Sequence, residues 1–303
     1  MGRNMNFIKP KKLQTGDTIS IIATSGNVDL EKIIQAKSNF ENRGFKVKLG
    51  KHINFQNRYL AGTDEERLED LHEAFLDNET NAIICARGGY GAIRLINDID
   101  YELIKNNPKI FCGYSDITIL NAMLLKKSNL ITFSGPMVQS DFASCSDKYT
   151  IGNFFNTLSA DKITITPMKE KIYKQGNLQG ILWGGNLSTL TTLCGIDFIP
   201  DEAFIFFTED LNEPTYKIDR YLRQLFLNNK FRKNIKAMIL GDFLDLDNKN
   251  YFDEIICEIA NELGISVISG YPISHSERKA TIPYGAFAKL ENNCITVENY
   301  LSI

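Results

Sequence analysis

A serine, a histidine and a carboxylate with the chemistry of an acyl-transfer site follow three predicted strands of this 303-residue chain: Ser115, His275 and Glu209. A serine hydroxyl is a weak nucleophile until a neighbouring base takes its proton. A histidine base in turn needs an acidic partner that fixes its tautomer and stabilises the imidazolium. Because reactive groups collect at the carboxyl ends of strands in parallel α/β folds, we expect these three side chains to meet.

Ser115 lies in an abrupt strand-turn-helix segment. The apolar strand Lys109–Gly113 ends just before it, and a helix is predicted over Ile117–Lys127. Such a turn projects its serine outward, close to backbone N–H groups at the helix N-terminus. The GxSxG spacing of a nucleophile elbow is absent, since position 117 is isoleucine. The alternative interpretation is that Ser115 or Asp116 simply caps the helix.

Elimination among three histidines favours His275 as the base. His72 lies within the charged helix Asp64–Phe75, where we expect it to face water. His52 follows a short strand among polar residues. His275 lies in a loop just past an apolar strand. The alternative for His275 is an exposed loop histidine with no role.

Glu209 is the first candidate for the acid, because it follows the buried-strand sequence Ala203–Thr208. Asp210, Glu213 and Asp242 have similar positions and remain rivals. The alternative for each of them is a carboxylate on a surface loop.

Two glycine clusters bear on the same site. Gly88–Gly91 follows the predicted strand Ala82–Ala86, and the N–H groups of Gly89 and Asp116 can form an oxyanion hole there. The alternatives are a tight turn or a phosphate loop, but neither GxGxxG nor GxxxxGK[ST] is present. The second cluster is Trp183-Gly184-Gly185-Asn186. Its Trp183, the only tryptophan of the sequence, either lines a substrate pocket or packs in the core.

The segments around these residues alternate between predicted strands and helices, which predicts parallel βαβ units in a layered α/β fold. Further strands are predicted at Thr18–Ala23, Lys46–Leu49, Leu130–Phe133, Ala237–Leu240 and Ser266–Ser269, and further helices at Asp29–Arg43, Thr63–Phe75, Ala92–Ile96, Leu187–Leu193, Tyr216–Leu227 and Phe252–Leu263. The pattern changes after about residue 140. We therefore predict an N-terminal α/β domain over 1–150, a linker over 151–175 and a C-terminal α/β domain over 176–303.

Composition excludes several classes of function. The net charge of -3 and the lack of a basic stripe argue against nucleic acid or an anionic membrane as partner. No apolar stretch approaches the roughly 20 residues of a transmembrane span. The apolar stretch Ile19–Ala23 is too short for a signal-peptide core, so we expect a cytoplasmic protein. The six cysteines form no CxxC pair and are expected to be buried, reduced thiols.

Taken together, these segments make the chain similar to the LD-carboxypeptidase family, serine peptidases that also include microcin-immunity hydrolases. The blocks that carry the resemblance are Ala86–Gly91, Gly113–Thr118, Trp183–Leu187, the acidic stretch with Glu209-Asp210, Glu213-Pro214 and Ile218-Asp219-Arg220, and His275 followed by Pro283-Tyr284-Gly285. Their order and spacing cover the chain from roughly Thr18 to Ala288.

The resemblance implies a flavodoxin- or amidotransferase-like parallel-sheet domain followed by a swivelling α/β domain, with the active site at their junction. It implies Ser115 as nucleophile, His275 as base, Glu209 as orienting acid, and the backbone of Gly89 and Asp116 as oxyanion hole. It further implies a homodimer that needs no metal and no cofactor.

The reaction implied by the resemblance is release of the terminal D-alanine from a murein tetrapeptide during cell-wall recycling, by cutting an L-to-D peptide bond. Ser134–Met137 and the short length favour this murein branch over the microcin-immunity branch, which hydrolyses aminoacyl-nucleotide amides. A non-catalytic protein that binds a small ligand between two domains is the alternative from a different class. Arg87, Arg94 and Arg220 are candidates by charge for binding the D-alanine carboxylate.

Overall fold

The computed structural model describes residues 7–143 and 147–303, so Cys145 and most of the loop predicted around 144–147 lie outside the described residues. In chain order the strands are β1 (Thr18–Ile22), β2 (Lys46–Leu49), β3 (Thr80–Cys85), β4 (Ile110–Cys112), β5 (Thr132–Ser134), β6 (Lys162–Ile165), β7 (Lys171–Lys174), β8 (Leu178–Asn186), β9 (Phe204–Leu211), β10 (Ile235–Leu244), β11 (Ser266–Ser269), β12 (Ile282–Tyr284), β13 (Phe287–Glu291) and β14 (Cys294–Glu298). The α-helices are α1 (Leu30–Glu41), α2 (Asp64–Leu76), α3 (Tyr101–Asn106), α4 (Thr118–Ser128), α5 (Lys148–Ser159), α6 (Leu187–Thr191), α7 (Thr215–Phe226), α8 (Asn229–Asn234) and α9 (Lys249–Leu263).

The first sheet has the strand order β2-β1-β3-β4-β5-β12. Its first five strands are parallel, and β12 is antiparallel to β5. All five residues of β1 are buried, as expected for a strand covered by helices on both faces. The chain reverses its direction of winding between β1 and β3, and ligands of such sheets bind outside the carboxyl ends of the strands at this point.

The second sheet has the order β6-β14-β13-β8-β9-β10-β11-β7. Its four central strands, β8 to β11, are parallel, and the flanking pairs are antiparallel. The predicted α/β class with two sheets is confirmed. Residues 151–175, predicted as the linker, hold most of α5 together with β6 and β7, which form the two edges of this sheet.

The two sheets are joined both by the path of the chain and by a hydrogen bond between them. The segment that contains His275 leaves β11 in the second sheet and ends in β12, which pairs with β5 of the first sheet. At the end of β8, the backbone N–H of Asn186 donates to the hydroxyl of Thr118 at the start of α4, over 3.1 Å. The carboxyl ends of the central strands of both sheets therefore meet at one junction.

The helix predicted from Thr63 is present, with Thr63 as its cap: the Thr63 hydroxyl accepts from the N–H of Glu66 while the Glu66 carboxylate accepts from the N–H of Thr63. The helix predicted over Ala92–Ile96 is wrong beyond a single 3₁₀ turn, Ala92–Arg94, because the chain continues in successive tight turns. The cysteines of the described residues are free, and Cys85 and Cys112 are buried as predicted. The prediction of burial is wrong for Cys257, which is exposed on α9, and for Cys194 and Cys294, which are half-buried.

None of the helices within the described part of the chain is long and apolar enough to cross a membrane.

Candidate active site

Ser115 lies in a strained turn between β4 and α4. It opens a single 3₁₀ turn, Ser115–Ile117, and its φ of +61° lies in the left-handed region that residues with a Cβ seldom occupy. Such strain persists only where the surrounding structure enforces it, and it clusters at functional sites. Among the described residues neither this turn nor α4 has a side-chain cap, so helix capping does not account for Ser115 or Asp116.

The glycine loop after β3 lies directly against Ser115. A Cβ added at Gly88 would lie 2.9 Å from the Ser115 Cβ and 3.0 Å from its Oγ, so this approach requires glycine. The Gly88 carbonyl accepts from the N–H of Gly26 over 3.2 Å, which ties the loops after β1 and β3 together. Gly89 has a φ of +112°, a conformation that glycine adopts without strain.

Asp116 is fixed through its own carboxylate. The side chain is buried, and its Oδ2 accepts from the backbone N–H of Ala92 over 2.9 Å. Burial raises the pKa of the Asp116 carboxyl, while this hydrogen bond opposes the shift. The contact fixes the backbone next to Ser115, where the N–H of Asp116 is the predicted oxyanion donor.

His275 and Glu209 form a hydrogen-bonded pair. His275 Nδ1 lies 2.7 Å from Glu209 Oε2, and Asn186 Nδ2 donates to the other carboxylate oxygen over 3.2 Å. In a neutral ring whose Nδ1–H donates to this carboxylate, Nε2 keeps its lone pair. Among the described residues His275 Nε2 has no hydrogen-bond partner, so it is free to accept a proton.

Glu209 is buried within β9, which continues through Leu211. The prediction placed it at the end of a shorter strand, with a surface loop as the alternative for every acidic candidate. Asn186 of β8 is its paired neighbour across the sheet, which explains why their side chains meet.

The rival carboxylates bond to other groups. The observed pairs are Asp210 with the backbone N–H of Ser188 (2.7 Å), Asp242 with the hydroxyl of Ser276 (3.3 Å) and Glu213 with Lys217 (3.1 Å). Burial raises the pKa of the Asp210 carboxyl, and the N–H of Ser188 opposes this. Of the four acidic candidates, Glu209 is the one bonded to His275.

Ser115 and His275 line one open cavity of about 350 Å³ beside Gly88 and Gly89. The described residues contain no hydrogen bond between the two side chains themselves. Contacts of this kind are often long in unliganded sites and tighten when substrate binds. The structure thus brings the predicted nucleophile, base and glycine loop to one cavity, with the predicted acid behind the base.

Three buried side chains form a stack that begins against the ring of His275. They were not identified from the sequence. The ring of Tyr114 packs edge-on against the ring of His275 at 4.9 Å, and Lys279 Nζ lies 4.9 Å from the centre of the Tyr114 ring. Lys279 forms a buried ion pair with Asp141. Asp141 and Lys279 are 138 positions apart, and no local pattern reveals such a pairing.

The remaining candidates lie elsewhere. Trp183 is fully buried among aromatic rings that include Phe198 and Phe204, which supports the core interpretation. His72, expected to face water, is half-buried and accepts from the N–H of Asp100 over 3.0 Å. His52 is buried against Asp70.

Within the described ranges, no group of three or more histidine, cysteine, aspartate or glutamate side chains is arranged to hold a metal ion.

Comparison with known proteins links both halves of the chain to one family. Family models described as the LD-carboxypeptidase N-terminal domain and the LD-carboxypeptidase C-terminal domain match residues 19–135 and 179–290. The chain is 36% identical over 299 residues to a probable murein peptide carboxypeptidase of Bacillus subtilis, covering 95% of this chain and 92% of that one.

Two further relatives differ in their named activities. The microcin C7 self-immunity protein MccF of Escherichia coli is 29% identical over 334 residues, covering 96% of both chains. The crystal structure of a muramoyltetrapeptide carboxypeptidase from Oxalobacter formigenes matches with a TM-score of 0.87 and 30% identity, covering 94% of this chain and all of that one.

Proposed function

Because the chain belongs to the LD-carboxypeptidase family, we propose that it is a serine carboxypeptidase that releases the terminal D-alanine from a murein tetrapeptide. The family makes the chain a peptidase-type hydrolase, and the serine mechanism and the substrate are the proposal. The observation that carries it is the 2.7 Å bond between His275 Nδ1 and Glu209, in a histidine that lines the same cavity as Ser115.

In the first half of the reaction, Ser115 Oγ attacks the carbonyl carbon of the L-to-D peptide bond while His275 Nε2 takes the hydroxyl proton. The developing oxyanion accepts hydrogen bonds from the backbone N–H groups of Gly89 and Asp116. Glu209 holds the imidazolium through Nδ1. The proton on Nε2 then passes to the leaving nitrogen, the C–N bond breaks, and D-alanine departs from an acyl ester on Ser115.

In the second half, water attacks the acyl ester while His275 takes one of its protons. The same nitrogen returns that proton to Ser115 Oγ as the ester bond breaks. The products are a tripeptide with a free carboxylate and the restored serine. This cycle needs no group beyond the side chains and amides already named.

The relatives that support the murein substrate are the protein of Bacillus subtilis named a probable murein peptide carboxypeptidase and the muramoyltetrapeptide carboxypeptidase of Oxalobacter formigenes. The similarity to MccF favours a second candidate, hydrolysis of an aminoacyl-nucleotide amide of the microcin type. Both reactions use the same acyl-transfer steps, so only the groups on either side of the scissile bond distinguish them.

A direct test offers the protein a murein tetrapeptide and a microcin-type aminoacyl-adenylate, and measures D-alanine and free nucleotide. We expect D-alanine release by the wild type. Ser115→Ala should lower it by at least about 10⁴-fold while leaving the circular dichroism spectrum unchanged. Release of nucleotide alone would favour the microcin-type reaction, and turnover of neither substrate would favour a protein that only binds small ligands.

The cellular setting follows from the charge and apolar pattern of the sequence together with the family resemblance. We expect a cytoplasmic homodimer that acts on peptides from cell-wall recycling, with no nucleic-acid or membrane partner. Cell fractionation and light scattering of the purified protein test the first two expectations.

A further inference from the structure

We propose that Arg87, assisted by Lys32, forms the subsite for the terminal carboxylate of the substrate, on the leaving-group side of the scissile bond. The inference rests on the proposed carboxypeptidase function and identifies the residues that select a free chain end. In the substrate, this carboxylate is two bonds away from the nitrogen that leaves, so its binding site must lie within the cavity of the nucleophile.

The charge of the cavity is the first argument. Two permanent cations, Lys32 and Arg87, line it, and none of its lining residues within the described part of the chain carries a carboxylate. A cavity whose lining carries net positive charge attracts an anionic group, because charges at a partly desolvated site are less screened than in bulk water.

The bonding of Arg87 is the second argument. Its guanidinium donates from Nη1 to the carbonyl of Asn27 (3.1 Å) and from Nε to the carbonyl of Gly88 (3.3 Å). Both acceptors are neutral, and within the described ranges no carboxylate forms an ion pair with Arg87. The two bonds hold the side chain still while its charge remains uncompensated, which is the arrangement expected of an anion-binding arginine.

The position of the free end of Arg87 is the third argument. Its Nη2 lies 3.6 Å from the point where a Cβ would stand on Gly89. Gly89 is one of the two predicted oxyanion donors, so Nη2 of Arg87 lies close to the place where the scissile carbonyl would bind. The short distance between carbonyl and chain-end carboxylate in the substrate matches this proximity.

Lys32 contributes more weakly. It is about half exposed on α1, and its contact with the carboxylate of Asp29 is long, at 3.9 Å. An exposed, flexible ammonium of this kind adds long-range attraction with little geometric selectivity.

The other two arginines considered from the sequence have different partners. Arg94 donates to the carboxylate of Asp64, with its shortest contact at 2.6 Å. Arg220 lies over the ring of Tyr216. Neither lines the cavity, which leaves Arg87 as the arginine in position to read the chain end.

The test compares two forms of one tetrapeptide, with a free terminal carboxylate and with a terminal amide, and measures kcat/KM for release of D-alanine or D-alaninamide. We expect the wild type to prefer the acid form by about 10- to 100-fold, as for loss of one charge-assisted hydrogen bond. Arg87→Ala should bring the ratio close to one by slowing the acid form, and Arg87→Lys should restore part of it. Lys32→Ala should lower the ratio by about 3-fold.

Lys37→Ala is the control for Lys32→Ala, since Lys37 lies on α1 like Lys32, pairs with Glu41 and does not line the cavity. It should leave the acid-to-amide ratio unchanged. Arg87 also braces the glycine loop, so a purely structural role would slow both peptides equally and leave the ratio unchanged. That result, or a wild type with no preference for the acid, would overturn the subsite. A wild type that cleaves neither peptide would instead refute the proposed function.

Discussion

His275 and His52 each bond a buried carboxylate through Nδ1, at 2.7 Å to Glu209 and at 3.0 Å to Asp70. The two pairs differ at the other ring nitrogen. Nε2 of His52 lies 3.5 Å from a carboxylate oxygen of Glu69, so acidic groups face both of its nitrogens. Nε2 of His275 has no such neighbour among the described residues, and its ring lines the cavity of the nucleophile.

A histidine–carboxylate pair is a candidate catalytic base only when its second ring nitrogen is free and faces a nucleophile. The carboxylate fixes the ring in both places, but a base also needs a free lone pair and a nucleophile within reach. The His52 pair connects the loop after β2 to helix α2 and serves stability. The His275 pair connects β9 to the segment between β11 and β12, and it is the pair that we propose to act in catalysis.

The largest expected contrast is between His275→Ala and His52→Ala. Loss of the base should lower kcat/KM for D-alanine release by about 10⁴-fold or more, with little change in stability. His52→Ala should keep near wild-type turnover but lose about 1–3 kcal/mol of unfolding free energy, because the buried Asp70 loses a donor. Steady-state kinetics and urea denaturation separate the two effects. Equal losses of activity in the two variants would show that the two histidines do not differ in role.

The next contrast removes the charge of each carboxylate while keeping its shape. Glu209→Gln should lower kcat by about 10³- to 10⁴-fold, because an amide cannot stabilise the imidazolium and favours the wrong tautomer. Asp70→Asn should leave kcat nearly unchanged, since it lies outside the cavity. If Glu209→Gln retained more than a tenth of wild-type kcat, Glu209 would not be the orienting acid.

Two glycines provide a third contrast. A Cβ on Gly88 would press against Ser115, whereas a Cβ on Gly50 would lie 2.3 Å from Asp70 Oδ2. Gly88→Ala should displace the nucleophile and lower kcat/KM by about 10- to 100-fold, since shifts near 1 Å have effects of that size. Gly50→Ala should instead lower the unfolding free energy by about 1–3 kcal/mol. Full activity in Gly88→Ala would show that Ser115 does not need this close approach.

The smallest expected effect is a pH dependence of stability. Burial raises the pKa of the Asp70 carboxyl, although the N–H groups of His52 oppose the shift. Between the ordinary and the raised pKa, the folded protein holds more protons than the unfolded chain. The unfolding free energy should therefore fall as pH rises through that interval. Denaturation of Asp70→Asn across the acidic range should show a flatter slope, and an unchanged slope would exclude Asp70 as its source.

The positions of the nucleophile and of the glycine loop were largely predictable from sequence. Ser115 and the Gly88–Gly91 cluster lie at strand ends, and a local pattern of strand, turn and helix is enough to place them. The parallel arrangement of the first five strands follows from the same alternation of elements.

The base side was less predictable. Glu209 and three rival carboxylates had equivalent positions in the sequence, and only the pairing of β8 with β9 and the path of the His275 segment distinguish them. The stack of Tyr114, Lys279 and Asp141 depends on contacts between distant segments, which no periodicity encodes. Likewise β12, a three-residue strand, is defined by the sheet edge that it joins rather than by its own composition.

The central claim is that His275, held by Glu209, activates Ser115. Labelling with a fluorophosphonate, followed by intact-mass and peptide-mapping mass spectrometry, tests it most directly. We predict one label per chain, located on Ser115, with a labelling rate that falls at least about 100-fold in His275→Ala and stays at the wild-type value in His52→Ala. A label on another residue, or a rate on Ser115 that does not depend on His275, would contradict this account.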